Sequence, residues 1–199
     1  MSYLHSGYDD VVIPAELASG LAALTSEQYR DTGYVKPFFR HDQDDTLYVT
    51  IQMPHRKQLG SALGDLHLHL IPMGAPGVGV TEYAYFRCNY TWQTFGGVFP
   101  ALATWSADVF TQFAVVAADQ YKHKIHQVLT NISAPTSEAY SSILLARITR
   151  LGATGGLSDT YKTVKPTPPG TAAANLCLLS IDAHVLCDRH GSYNATGDT

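Results

Sequence analysis

Two imidazoles, His67 and His69, stand two residues apart in the alternation Leu66-His67-Leu68-His69-Leu70, which runs into Ile71-Pro72. On an extended chain successive side chains point to opposite faces, so the leucines share one face and the histidines the other. Paired imidazoles on one strand face supply two ligands of the type that zinc and related metals take. The competing reading is a polar outer face whose imidazoles hydrogen-bond their neighbours. A third ligand would have to come from His184, His123 or His126, and no spacing links any of them to the pair. The expectation is therefore no metal, no cofactor and no catalytic residue. His67, His69 and His184 form the alternative metal set.

Other chemistry is less well marked. There is no Gly-x-Ser-x-Gly elbow for a serine nucleophile, and no phosphate-binding glycine loop. Asp182 and His184 share a strand face and can orient one another, but no nucleophile accompanies them. Asp42-Gln43-Asp44-Asp45 resembles the start of a calcium loop but lacks the glycine and the closing glutamate, so it reads as a solvated turn. Cys88, Cys177 and Cys187 show no C-x-x-C spacing and an odd count, which disfavours a disulfide framework or a structural zinc site. They read as small buried hydrophobes, with Cys177 and Cys187 of one strand parity. Trp92 and Trp105 are the residues with which a sugar-binding sandwich would stack on its ligand.

The elements that must position these groups are strands. Leu47, Val49, Ile51 and Met53 alternate with Tyr48, Thr50 and Gln52 before Pro54. The same period of two runs through 35–40, 66–71, 81–92, 110–117, 122–130, 141–150 and 175–188, about eight strands in all. On the last, Cys177, Leu179, Ile181, Ala183 and Val185 share a face. Gly74-Ala-Pro-Gly-Val-Gly79 reads as a hairpin connection. No amphipathic helices alternate with the strands, which disfavours a parallel α/β sheet. The fold expected over residues 34–199 is all-β, an eight-stranded antiparallel jelly-roll-like sandwich.

Residues 1–33 differ. Ile13-Pro14-Ala15-Glu16 looks like a helix start, and Leu17, Leu21 and Leu24 then recur on one helical stripe. This predicts a short N-terminal helical arm whose leucines dock on a neighbour and form an interface.

Composition bounds the partners. The net charge of -4 and the lack of a basic stripe speak against nucleic acid. No apolar run reaches the ~18 residues of a membrane span, and the N-terminus lacks the pattern of a signal peptide. Only 15% of residues are charged, while there are 12 tyrosines, a surface suited to subunit contacts.

Three separated motifs carry a resemblance. Asp65-Leu66-His67-Leu68-His69, the aromatic strand Glu82-Tyr83 to Tyr90-Thr91-Trp92, and Ile181-Asp182-Ala183-His184 followed by Gly191-Ser192 resemble a family found in structural gene clusters of tailed phages and prophages. Its members look like capsid decoration, collar or fibre-anchoring proteins. The departure is Leu70, where the family has an aromatic. The resemblance implies a non-enzymatic virion protein, synthesised in the host cytoplasm, that binds other virion proteins and its own copies as a homo-oligomer, a trimer being favoured. The alternative is a cupin-like metal-dependent enzyme or carbohydrate-binding sandwich that uses His67 and His69. The cupin pattern wants an acid four or five residues after its second histidine, where this chain has Met73 and Gly74.

Overall fold

The structure, a computed structural model, describes residues 6–15, 25–28, 35–41, 43–152 and 175–188. These residues hold ten strands: β1 (Ser6–Pro14), β2 (Thr25–Gln28), β3 (Val35–Phe39), β4 (Asp45–Gln52), β5 (Leu63–Pro72), β6 (Thr81–Gln93), β7 (Val109–Val116), β8 (Lys124–Ile132), β9 (Ile143–Leu151) and β10 (Leu176–Asp188). All pair antiparallel in two sheets. One runs β2-β3-β10-β5-β8, with β1 also lying along β10, and the other runs β4-β9-β6-β7. The protein is an all-β sandwich. The glycine-rich segment after β5 is not a hairpin: it carries the chain from the first sheet to the second, because β6 pairs with β7 and β9.

Alternation explains where the core lies. Leu47, Val49, Ile51 and Met53 from one sheet meet Leu66, Leu68 and Leu70 from the other, each no more than 2% exposed, and Phe86, Ile148 and Leu144 fill the space between. Fully burying one such side chain is worth roughly 1.5–3 kcal/mol before ordering costs. The opposite face of β5 is left to His67 and His69.

The helix start expected at Ile13-Pro14 is not observed. Residues 6–14 are extended and pair with β10 in unbroken register from Ser6↔Asp188 to Pro14↔Ser180. Proline is acceptable there because it ends the strand and owes the ladder no further N–H. Val11 and Ile13 pack on the core and Ala15 is buried within it, so the alternation of a half-buried strand prevails over the local helix signal. The interface leucines Leu17, Leu21 and Leu24 lie outside the described residues. β3 pairs only with Leu176 and Cys177 of β10, and β1 takes up the remainder of that strand edge.

β10 does not keep one parity. Its register with β5 shifts between Leu178 and Ser180, so that Leu176 and Leu178, and then Ile181, Ala183, Val185 and Cys187, all reach the main core. Cys177 and Leu179 instead face a small outer cluster with Phe38, Ile71 and Met73. A bulge inserts one residue and reverses every side chain after it, which is why a strict period of two misplaces the first half of this strand. Cys177 and Cys187 therefore lie on opposite faces. All three cysteines are buried and none forms a disulfide. Burial pushes the Cys88 thiol well above its usual range, and Cys187 is raised to about 11 by burial and its hydrogen bond with Asp9. Neither is an activated nucleophile.

The described acids leading into β4 are tied into the fold, Asp44 half-buried. Asp45 is fully buried and accepts from the Arg40 backbone N–H at 2.6 Å and from its guanidinium at 2.7 Å. Asp44 accepts from the Gly152 N–H at 2.7 Å. Gly152 is so close to this turn that a Cβ would stand 2.4 Å from the backbone of Gln43. Replacing Gly152→Ala forces the β3–β4 turn away from the end of β9. We expect a loss of about 1–3 kcal/mol, the usual cost of overpacking, measured as a lower denaturant midpoint at unchanged slope.

Candidate functional site

The outer face of the first sheet collects most of the acids and imidazoles singled out by sequence. Register does the collecting. Asp10 of β1 lies opposite His184 of β10, and Asp182 of β10 lies opposite His67 of β5. Between Leu63 and Leu66 of β5, Gly64 and Asp65 stand against the single residue His184, a second irregularity that keeps both leucines in the core and sets Asp65 beside His184. Gly64 is tightly placed at that position. A Cβ there would lie 3.4 Å from Cβ of His184 and 3.3 Å from the Tyr8 ring.

Asp182 is the hub. Its carboxylate is 8% exposed and faces three imidazoles. Oδ1 lies 2.6 Å from His69 Nε2, while Oδ2 lies 3.6 Å from His67 Nδ1 and 3.4 Å from His184 Nε2. A carboxylate only accepts, so His69 must donate its Nε2–H. The other nitrogen of His69 is 2.7 Å from His123 Nε2, which extends the line Asp182–His69–His123 toward solvent. Asp65 closes the opposite side, with Oδ2 at 3.9 Å from both His67 Nε2 and His184 Nδ1. Gln127 donates to the other oxygen of Asp65, and Asp10 Oδ1 lies 3.3 Å from His184 Nε2.

The set His67, His69 and His184 is thus only partly assembled. His67 and His184 meet edge to face with ring centroids 4.6 Å apart. His69 points along the other side of Asp182 to its own bonds. The residue that completes a three-donor group with His67 and His184 is Asp65, their donor atoms all lying within 4.8 Å of one another. A search for an acid downstream of His69 misses it. The signal was present upstream, since Asp65 shares a strand face with His67 at i, i+2. Asp10 carried no comparable signal, because its role depends on a strand pairing that spans nearly the whole sequence.

His126 belongs elsewhere. The register irregularity in β8 opposite Leu66 and His67 leaves it on the inner side, 8% exposed, between the rings of Phe86 and Phe113, with Nε2 2.9 Å from the Thr111 hydroxyl. Trp92 is also internal, its indole N–H donating to Ser142 Oγ at 3.0 Å, and so cannot stack on an external sugar. Trp105 is half-buried and lines an open cavity of about 650 Å³ on the second sheet with Asn89, Asp108 and Arg147.

No protein-family model matches the chain, and no curated protein matches it. Among solved structures it is similar to TmCBM61, determined in complex with beta-1,4-galactotriose. The two share 10% sequence identity at a TM-score of 0.33, over 94% of this chain and 89% of that one. No helix among the described residues is long and apolar enough to cross a membrane.

The inner histidine gives a pH signature. Burial first, and the neighbouring His67 second, depress His126 from 6.5 to about 4. Between those values the unfolded chain binds the proton that the folded chain refuses. The stability due to neutral His126 is therefore complete above pH 6.5 and is lost as the pH falls toward 4. A shift of this size corresponds to about 3 kcal/mol. Urea titrations across that range should show a shallower pH slope for His126→Gln than for the wild-type protein, and parallel slopes would contradict this assignment.

Proposed function

We propose that this chain is a non-catalytic virion structural subunit, a jelly-roll sandwich that works by binding copies of itself and other virion proteins. The strand order supports the jelly roll. β3-β10-β5-β8 faces β4-β9-β6-β7, so consecutive strands from β3 to β6 alternate between the sheets, as two interlocked Greek keys require.

The observation that carries the binding role is the connection between β6 and β7. Phe95 is 79% and Val98 86% exposed, and Phe99 and Leu102 follow on the same loop, also exposed. A run of large apolar side chains held in water is unfavourable for an isolated subunit and marks a surface made for contact. Few charges surround it: from Thr94 to Ala107 the sequence contains no Asp, Glu, Lys or Arg. Leu17, Leu21 and Leu24 supply a second apolar contact in this reading. Two of the three resemblance-bearing motifs also support it. Asp65-x-His67-x-His69 and Asp182-x-His184, distant in sequence, form one polar cluster on the sheet face remote from the core, where it joins β5 to β10.

Native mass spectrometry and light scattering test the proposal. The wild-type protein should assemble, with a trimer favoured. The double variant Phe95→Ser, Val98→Ser should shift the population toward monomer by about tenfold or more while its thermal midpoint stays within a degree or two, since two exposed side chains contribute little to the fold. A wild-type protein that is monomeric at every concentration reached would overturn the self-assembly reading.

A further inference from the structure

We propose that Asp65, His67 and His184 form a binding site for a divalent first-row transition metal ion, with Asp182 as the group that orients both imidazoles. This goes beyond the assembly role and does not depend on it.

Asp182 Oδ2 faces Nδ1 of His67 at 3.6 Å and Nε2 of His184 at 3.4 Å, and Asp10 Oδ1 faces that same His184 nitrogen at 3.3 Å. These are the nearer carboxylate oxygens for each ring, so a neutral ring with its hydrogen on this side has the better acceptor. A neutral imidazole has one N–H, and its other nitrogen is then a lone pair. The remaining nitrogens are Nε2 of His67 and Nδ1 of His184. Both stand 3.9 Å from one oxygen of Asp65. Three electron-pair donors thus converge with no proton assigned between them. These three ligand atoms lie within 4.8 Å of one another, around a point where a cation would meet all of them.

The donor set fixes the class of ion. Two imidazoles and one carboxylate suit zinc, cobalt, nickel or iron(II), and not calcium or magnesium, which take oxygen. Two donors bound at ~2.1 Å in tetrahedral disposition stand about 3.4 Å apart. The two 3.9 Å separations from Asp65 would need to close by about half an ångström, and the His67–His184 pair, within 4.8 Å, by up to about 1.4 Å, a movement open to the partly exposed Asp65 and His184 side chains. A buried carboxylate on the far nitrogen of each ligating histidine is the usual support of such sites, fixing both tautomer and ring angle. Asp182 supplies it to both histidines at once. His67 and Asp65 are 14% and 32% exposed and His184 32%, so an ion can enter from solvent and hold water in its remaining positions.

Untagged protein, stripped with chelator and dialysed against cobalt(II) alone, provides the test. Elemental analysis should find one ion per chain, and the visible spectrum should show the ligand-field bands of a four- or five-coordinate site. Asp65→Asn, His67→Ala and His184→Ala should each weaken binding by about a hundredfold or more, and Asp182→Asn by ten- to a hundredfold. His123→Ala should leave stoichiometric binding intact, and Asp10→Asn, which touches only the far nitrogen of His184, should weaken binding less than Asp65→Asn does. Loss of binding in Asp10→Asn with retention in Asp65→Asn would move the ion to a different site and overturn this one. Wild-type protein that takes up less than a tenth of an ion per chain would also overturn it. Should any variant fail to fold, nitrogen-15 spectra of the metal-free wild-type imidazoles decide independently. Hydrogen on Nδ1 of His67 and on Nε2 of His184 is expected. The opposite tautomers, or doubly protonated rings at neutral pH, would refute the lone-pair arrangement on which the site rests.

Discussion

The pairing of β10 with β5 is the constraint on which most of this structure depends. β10 lies at the centre of its sheet and sends side chains both into the sandwich and out of it. The irregularity at Leu178–Ser180 lets one strand place Leu176 and Leu178 in the core and then, after the reversal, Ile181, Ala183 and Val185 as well. Without the extra residue, one half of the strand would turn aliphatic groups to solvent and Asp182 into the apolar interior. Burying an unpaired carboxylate there would cost several kcal/mol, more than any single leucine returns. The bulge therefore decides which face is polar. It also brings Asp182 against His67 and His69, so the same local event that completes the core builds the outer cluster.

A second polar assembly closes one end of the sandwich. Lys57 and Glu138, each with a side chain 1% exposed, pair at 2.7 Å, and Lys57 also donates to the Ser61 carbonyl at 2.8 Å and lies 5.0 Å from the centre of the Trp92 ring. Glu138 accepts from Ser142, which in turn accepts from Trp92. A buried ion pair adds little net stability because desolvation offsets attraction. Its value is positional: it ties the loop after β4 to the loop before β9, on a ring that belongs to the core. Asp182 and Glu138 thus follow one rule. Each is a buried carboxylate facing several partners from other segments, His67, His69 and His184 for Asp182 and Lys57, Gly60 and Ser142 for Glu138, so those segments cannot shift without leaving a charge unpaired.

The period of two made β3 to β10 legible, because each of those strands has one face in the core and the pattern had only to be read over a few residues. β1 was not legible in the same way. Val11 and Ile13 alternate correctly, but Pro14 and Glu16 also form a sound helix-start signal. What decides between them is a partner strand at the far end of the sequence, which no local pattern encodes. Bulges were hidden for a similar reason: one inserted residue is visible only against its partner, so Cys177 and Leu179 do not share the face of Ile181, Ala183 and Val185 that a strict period gives them. Of the polar cluster, His67, His69, Asp182 and His184 were legible as i, i+2 pairs within strands. That they surround one carboxylate, with Asp65 as the further donor, follows from register between strands.

The pairing of β1 with β10 places the two extremes of the described chain side by side, Ser6 against Asp188. During synthesis β1 emerges early and must remain unpaired until almost every other strand has been made. β5 can pair with β8 on one edge but waits for β10 on the other. From the leading half of the sequence the first sheet can form only the short β2–β3 pair, whereas β6 and β7 of the second sheet can pair as soon as both exist. Folding of the first sheet is gated by the arrival of its central strand, a topology of high contact order that favours slow, all-at-once closure. A nascent chain stalled before residue 176 would carry exposed leucines on β5 with nothing to cover their strand edge, the species most prone to aggregate and the one a cell would need to hold in check.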